Sequence, residues 1–568
     1  MEITGTQIFF KSLEKERVDL IFGYPGGTVI DLYDELVRHP GIRHILVRHE
    51  QAAVHAADGY ARATGKVGCC LVTSGPGATN TVTGIATAYC DSIPVVVFTG
   101  QVPCKLIGND AFQEVDIVGI TRPCTKHNFL VKDVRQLAKV IRQAFHIARS
   151  GRPGPVLVDL PKDMMLHKTE FNWPKKIPMR SYNPTSTPNQ NHLHLAMKLL
   201  REAKRPLLLA GGGVIASDAA QILTALARDL RLPVVATLMG LGAFPAHEED
   251  LWFGMVGMHG LYAANKAING ADVIMAVGAR FDDRVTGKPP SFAPKAKIIH
   301  IDIDPTSVRK NVRVHVPVVG TAPKALKGIH EIAFEHMRPE AWQAKHAAWL
   351  QQLASWRAEQ PPDYSGGGRD NATIKPQAVI ECLYKLTKGE AIIATEVGQN
   401  QMWAAQFYGF SRPRTCLTSG GLGAMGYGFP AAIGAQLAFP DKLVVDVAGD
   451  ASIQMNIQEL ATAVCHKLPV KILILNNAYL GMVRQWQELF YENNYSATCM
   501  ESQPDFVRLA EAYGAEGFRI ERPADLEPVM AKALKSPRTT IIDVRVAREE
   551  NVYPMVPAGA GLDEMLLV

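Results

Sequence analysis

The sequence predicts an α/β protein of three domains, each with a mainly parallel sheet flanked by helices. Three observations support this. Short apolar runs rich in β-branched residues alternate with longer stretches of helical periodicity along the whole chain. Two proline-rich stretches of weak pattern, 172–191 (Pro174, Pro178, Pro184, Pro188) and 359–376 (Pro361, Pro362 and the glycines 366–368), read as linkers. The 568 residues are enough for three or four closed cores at ~150 residues each. The expected domains are therefore 1–171, 192–358 and 377–568.

In the first part, a strand at 45–47 runs into an alanine-rich helix opening at Glu50, whose small face lets another element come close; strands follow at 93–98 and 156–160. The second part has strands at 206–210, 273–277 and 298–303. The third has strands at 443–447 and 470–475, with a helix between them at 457–466. The first and third parts share a plan, each having an uncharged glycine-rich window, 67–90 and 415–440. Both windows exceed the ~18 residues that flag a membrane span. Their Gly, Pro, Ser, Thr and Asn would leave polar backbone unsatisfied in lipid, so they are not read as membrane spans.

Composition narrows the function. The net charge of +5 is small, and the 20% of charged residues are scattered, so neither nucleic acid nor a membrane surface is indicated as a partner. The nine cysteines form no C-x-x-C pair and have no histidine at zinc spacing. The opening Met1-Glu-Ile-Thr-Gly-Thr has neither a basic nor an apolar leader pattern, so a cytoplasmic location is expected.

Ligands of open α/β sheets bind beyond the carboxyl ends of strands. One strand ends in Gly449-Asp450-Ala451-Ser452 and the next in Asn476-Asn477. The 27 positions from Asp450 to Asn477 amount to one β–α–β crossover, which brings both side chains to one sheet edge. A carboxylate, an amide oxygen and a nearby carbonyl suit a hard divalent ion such as Mg²⁺ carrying a diphosphate. The competing reading of either dipeptide alone is a turn at a strand end. In the second part, Gly211-Gly-Gly213-Val-Ile-Ala216 follows a strand. As a bare G-x-G-x-x-A it suggests a nicotinamide-dependent dehydrogenase, but no acidic residue ends a second strand ~20 residues later, as the ribose contact requires.

The Gly-Asp and Asn-Asn pairing resembles the diphosphate–Mg²⁺ signature of thiamine-diphosphate enzymes. Further motifs extend the likeness along the chain: Phe22-Gly-Tyr-Pro-Gly26-Gly27, Val47-Arg-His-Glu50, Thr73-Ser-Gly-Pro-Gly, Asp91-Ser-Ile-Pro, Ala111-Phe112-Gln113-Glu114, Val277-Gly-Ala-Arg280-Phe-Asp282-Asp-Arg284, Ser419-Gly-Gly-Leu-Gly423-Ala-Met425-Gly and Leu480-Gly-Met482-Val-Arg-Gln-Trp486. Together they resemble the large catalytic subunits of bacterial acetohydroxyacid synthases. The resemblance implies pyrimidine-binding, FAD-binding and diphosphate-binding domains in that order, with thiamine diphosphate, Mg²⁺ and FAD as cofactors.

It also implies a reaction and its residues. Pyruvate is decarboxylated, and its two-carbon remnant adds to a second pyruvate or to 2-oxobutyrate. Glu50 shares a proton with the coenzyme's aminopyrimidine, work that needs a carboxylate in a dry site. Asp450 and Asn477 hold Mg²⁺ by side chains and Tyr479 by its carbonyl. Met425 wedges the coenzyme into its bent shape; the plainer reading is a gap-filler in a core. Met482 and Trp486 wall the substrate pocket, although a core stripe with Val483 and Phe490 would look identical. Arg284 grips the acceptor carboxylate, or pairs with Asp282 or Asp283. Phe112, Gln113 and Lys162 line the pocket. Gly26, Gly27, Gly398, Gln399, Asn400, Gly423, Gly449, Ala451 and Ser452 border the coenzyme, while Arg152, Gly211, Gly212, Gly213, Thr237, Met258, His259, Arg280, Asp282 and Asp302 contact FAD.

Three positions qualify the match: Ala451 for the glycine usual in thiamine-diphosphate enzymes at large, a change also met within this family, Asn400 for histidine, where an amide N–H still offers a donor to the diphosphate, and Thr321 where an acid is frequent. A homodimer or homotetramer with sites shared between subunits, and a separate small regulatory subunit, are the implied partners. The rival readings are a pyruvate oxidase, an FAD-free catabolic acetolactate synthase and a non-catalytic assembly subunit.

Overall fold

The computed structural model describes residues 1–177, 179–336, 338–361, 364 and 373–567. Pro178, Pro362 and the glycines 366–368 of the expected linkers lie outside the described residues.

Each domain is built on one six-stranded, wholly parallel sheet. The first sheet runs Arg43–Leu46, Leu20–Tyr24, Gly68–Val72, Val95–Gln101, Val156–Pro161, His127–Leu130. The third runs Cys416–Leu417, Ile392–Thr395, Val444–Gly449, Lys471–Asn476, Thr540–Arg545, Glu516–Ile520. Counting strands within each domain, both read 2-1-3-4-6-5, so the shared plan seen in the sequence is a shared topology. The middle sheet differs: Trp252–Met255, Val234–Ala236, Pro206–Ala210, Val273–Val277, Lys297–Asp302, Val316–Val319, an order of 3-2-1-4-5-6. That is the doubly wound dinucleotide-binding order, with its reversal between Pro206–Ala210 and Val273–Val277.

A two-stranded antiparallel pair, Glu2–Thr4 with Lys168–Glu170, ties the start of the first domain to its end. The second domain opens at helix Gln190–Glu202, two residues ahead of the expected boundary, because Asn189 accepts from the Asn191 N–H and caps it. The expected strand 93–98 begins only after Pro94, at Val95. Strand 45–47 shifts to Arg43–Leu46. The expected helix 457–466 is a 3₁₀ turn, Ile457–Glu459, followed by a short helix, Leu460–Cys465, with Lys467 reversing the chain at φ 52°.

The alanine-rich helix is Glu50–Thr64. His49 caps it by accepting from the Gln51 N–H, and Gly65 ends it in the left-handed region at φ 75°. Its small face packs on helix Gly428–Ala438 of the third domain: a Cβ on Gly59 would lie 2.2 Å from the Ala431 carbonyl oxygen, and one on Gly434 2.0 Å from that of Ala56. One continuous apolar core therefore runs from the first sheet into the third. Among the described residues no helix is long and apolar enough to cross a membrane.

Candidate active site

At the carboxyl ends of the third sheet, Asp450 follows strand Val444–Gly449 and Asn477 follows strand Lys471–Asn476. Asp450 is 1% exposed, its Oδ1 has no hydrogen-bond partner, and burial pushes its carboxyl up to about 7. An orphaned buried carboxylate is costly unless something meets it. Asn477 Oδ1 accepts from the Tyr479 N–H at 3.1 Å. Between them Ala478 is held at φ 57°, a left-handed conformation unusual for alanine, which turns the backbone at this point. Among the described residues no group of three or more His, Cys, Asp or Glu stands ready for a metal; the Asp450 carboxylate and the Asn477 amide are oxygen donors of the type a hard ion such as Mg²⁺ takes. Helices Gln399–Phe407 and Gly481–Phe490 begin beside this edge: a Cβ on Gly481 would lie 2.0 Å from Gln399 Oε1 and 2.7 Å from Asn477 Nδ2. Helix N-termini suit an anion such as a diphosphate.

The residues of the middle domain meet this edge in one cavity of about 1340 Å³. Gly212 and Gly213 line it at the strand-order reversal, beside Gly278; a Cβ on Gly213 would come 2.7 Å from the Gly278 Cα. Arg152, Thr237, Met258, His259, Arg280, Asp282 and Asp302 line it too, and so do Arg284, Gly398, Gly423, Met482 and Trp486. Gly211 instead packs against the Gly278 carbonyl, behind the wall. The second strand of this sheet ends at Ala236, followed by Thr237, and the acid Asp302 ends the fifth strand on the other side of the reversal, so the nicotinamide pattern is not the one built here. Thr321 lines the cavity and its N–H donates to the Ser186 carbonyl at 3.1 Å.

Arg284 is open to the cavity. Its nearest carboxylate, Asp283, is 3.8 Å away with both side chains mostly exposed, a weak pair in water. On helix Gly481–Phe490, Met482 and Trp486 face the cavity, Val483 and Phe490 are exposed, and the buried positions are Arg484 and Gln485. The core-stripe reading therefore fails.

The first-domain residues gather at the carboxyl ends of the first sheet. Glu50 opens its helix, with Oε2 accepting from Asn80 Nδ2 at 3.0 Å and Oε1 near Gly77. Lys162 Nζ donates to the Gly27 carbonyl at 2.9 Å, Gly26 abuts Thr73, and Gln113 abuts Gly75. Phe112 is 87% exposed.

These two clusters face opposite ways within one chain. The cavity is bordered by 90–92 and 149–153, which lie at the amino-terminal ends of strands Val95–Gln101 and Val156–Pro161. Asp91, there, accepts from the N–H groups of Gly420 and Gly421, which follow strand Cys416–Leu417. Thus the amino-terminal edge of the first sheet meets the carboxyl edge of the third. Glu50 stands at the far end of the first sheet, about 20 Å away along a seven-residue strand or the helix that carries it.

Family models for the thiamine pyrophosphate enzymes match all three domains: the N-terminal binding domain over 3–120, the central domain over 193–329 and the C-terminal binding domain over 396–544. The acetolactate synthase isozyme 3 large subunit of Escherichia coli is 51% identical over 571 residues, covering 100% of this chain and 98% of that protein. The chain belongs to the acetolactate synthase family of thiamine pyrophosphate enzymes. Acetolactate synthase large subunits from Haemophilus influenzae (48% over 569 residues, 100% of this chain and 98% of that protein) and Corynebacterium glutamicum (48% over 563 residues, 98% and 89%) are similarly related. Three sheets for three family domains agree with the architecture expected from the sequence.

Within this acetolactate synthase fold one expectation changes. Both N–H groups of Asn400 are taken, by the carbonyls of Glu396 (2.9 Å) and Val447 (2.8 Å), because the side chain bridges two strand ends; no donor is left for a diphosphate. Sequence reasoning also missed Glu396, which is fully buried and accepts from the N–H groups of Gly426 (2.7 Å) and Phe429 (3.1 Å) and from Ser452 Oγ (2.6 Å). A lone acid closing an otherwise apolar strand was the available signal.

Proposed function

We propose that the chain condenses pyruvate with a second pyruvate or with 2-oxobutyrate, releasing CO₂ and giving 2-acetolactate or 2-aceto-2-hydroxybutyrate, the first common step toward branched-chain amino acids. The observation that carries this reading is that Arg284, Met482 and Trp486 share one cavity with Gly398 at the Asp450 edge. A guanidinium beside an apolar wall fits a short 2-oxo acid: Arg284 binds the carboxylate, and Trp486 with Met482 packs the alkyl end.

Thiamine diphosphate, when bound, supplies the carbon acid that makes decarboxylation and carbon–carbon bond formation possible. Asp450, Asn477 and the Tyr479 carbonyl hold Mg²⁺ and through it the diphosphate. Gly423, Met425, Gly449, Ala451, Ser452, Gly398 and Gln399 form the surrounding cradle. Glu50 exchanges a proton at Oε1, the oxygen that Asn80 leaves free. The apolar wall excludes water, which limits premature protonation of the two-carbon unit. FAD occupies the crevice at Gly212 and Gly213, with Arg152, Thr237, Met258, His259, Arg280, Asp282 and Asp302 around it.

Because Glu50 and Asp450 face opposite ends of the chain, each working site takes its acid from one copy and its anchor from another. The state is a homodimer or a homotetramer of such pairs. Exposed Phe112, with the half-buried Gln113 and Lys162 beside Glu50, then covers the cavity of the partner copy. The relatives' designation as large subunits supports a separate small regulatory subunit. Product analysis tests the reading. With pyruvate, coenzyme and Mg²⁺ we expect acetolactate, seen as acetoin colour after acid decarboxylation, and a second product on adding 2-oxobutyrate. Acetate or acetaldehyde as the main product would contradict it.

A further inference from the structure

The loop 419–429 carries Gly423 and Met425, and it is held at both ends by buried carboxylates. At its start, Asp91 of the first domain accepts from Gly420 N–H (3.1 Å, Oδ2) and Gly421 N–H (2.7 Å, Oδ1). At its end, Glu396 accepts from Gly426 and Phe429 and from Ser452 in the loop that carries Asp450. Asp91 is itself fixed: Arg62 Nη2 reaches it at 2.7 Å while Arg62 Nε reaches Asp58 at 2.6 Å, and Tyr427, also on this loop, donates to Asp58 at 2.6 Å. The side chains of Asp58 and Asp91 are wholly buried and that of Arg62 nearly so.

We propose that Asp91 and Glu396 are positioning residues that set the height of the Met425 wedge over the Asp450 edge, Asp91 reaching it from the first domain of the same chain. The argument is one of geometry and strength. Each carboxylate gathers two N–H groups of the loop, adjacent ones at Asp91 and ones three residues apart at Glu396, and charge-assisted bonds in a dry site hold backbone more stiffly than neutral ones. Between the two clamps the loop has little freedom: the Ala424 N–H donates to Ser419 Oγ at 3.0 Å, and Asn456 Nδ2 donates to the Gly426 carbonyl at 2.6 Å. Cβ atoms on Gly420 or Gly421 would meet Met239 Sδ at 2.4 Å or Asp91 Oδ1 at 2.8 Å, so a larger residue at either position would displace one of these side chains. The proposal deepens the thiamine-dependent reading of this site and rests on it.

The test measures the thiamine diphosphate dissociation constant at saturating Mg²⁺, by quenching of tryptophan fluorescence, in the full-length protein loaded with FAD. Asp91→Asn and Glu396→Gln are nearly isosteric and each turns one acceptor into a donor facing an N–H. Each should weaken coenzyme binding about ten- to a hundredfold, the loss of one or two charged hydrogen bonds. In a Met425→Ala background the same changes should cost much less, since they act through the wedge. Flavin binding should not change in either variant. If Asp91→Asn fails to fold, Glu396→Gln decides alone. Unchanged coenzyme binding in a folded variant, or effects that simply add to that of Met425→Ala, would overturn the proposal. Coenzyme binding by a chain that makes no acetolactate would remove the activity reading and leave the clamp intact.

Discussion

The two half-sites of this chain are built in contrasting ways. The Asp450 half is internal: a carboxylate 1% exposed, glycines in close contact with neighbouring side chains, and a loop pinned by Asp91 and Glu396. The Glu50 half is a rim, its acid held by one bond from Asn80, with Phe112 87% exposed beside it. The first is closed by its own chain; the second is open at the surface. Preorganised anchors resist mutation by geometry, whereas a rim depends on what docks against it.

The sharpest way to expose this contrast is to disable each half alone. Glu50→Gln should cut turnover about 10²- to 10⁴-fold, the usual worth of a positioned proton donor or acceptor, while coenzyme and flavin still bind. Steady-state rates with fluorescence titration check this, and near-normal turnover would remove Glu50 from the chemistry. Asp450→Asn should do the reverse. Mg²⁺-dependent coenzyme affinity should fall by more than the ~10–100-fold typical of an outer-shell loss, measurable by calorimetric titration. Unchanged affinity would move the metal elsewhere.

The helix joining the halves can be attacked next. Gly434→Val should destabilise the chain by about 1–3 kcal/mol or more, because the new side chain meets the Ala56 carbonyl. Denaturant melts of the flavin-loaded protein measure this, and an unchanged midpoint would deny the close approach. The smallest effect belongs to the cavity wall. Trp486→Leu should shift preference from 2-oxobutyrate toward pyruvate by roughly 10–200-fold at most, since a single methylene decides the choice. Competition between the two acceptors reads the ratio directly.

Much of this was legible beforehand because it rests on short-range rules. β-Branched runs gave the strands, the alanine-rich run after Glu50 gave the helix and its close packing, and crossover spacing put Asp450 beside Asn477. What escaped depends on distant partners. Arg62 reads as an ordinary polar residue and Asp91 only as the start of a motif until Gly420 and Asp58 are seen around them, and Asn400 reads as a donor until two carbonyls claim it. The strand order 3-2-1-4-5-6, which set the dinucleotide crevice apart from the other two sheets, needed the fold itself because it depends on which strands pair, not on what each strand contains.

The opposite orientation of the halves makes one experiment decisive. Glu50→Gln and Asp450→Asn chains, each inactive alone, are mixed and allowed to exchange subunits. If every site joins one copy's Glu50 to the other copy's Asp450, half the pairs are mixed and each mixed pair carries one intact site, so about a quarter of wild-type activity should return. If both residues served a site within a single chain, every site in the mixture would lack one of them, and no activity would return.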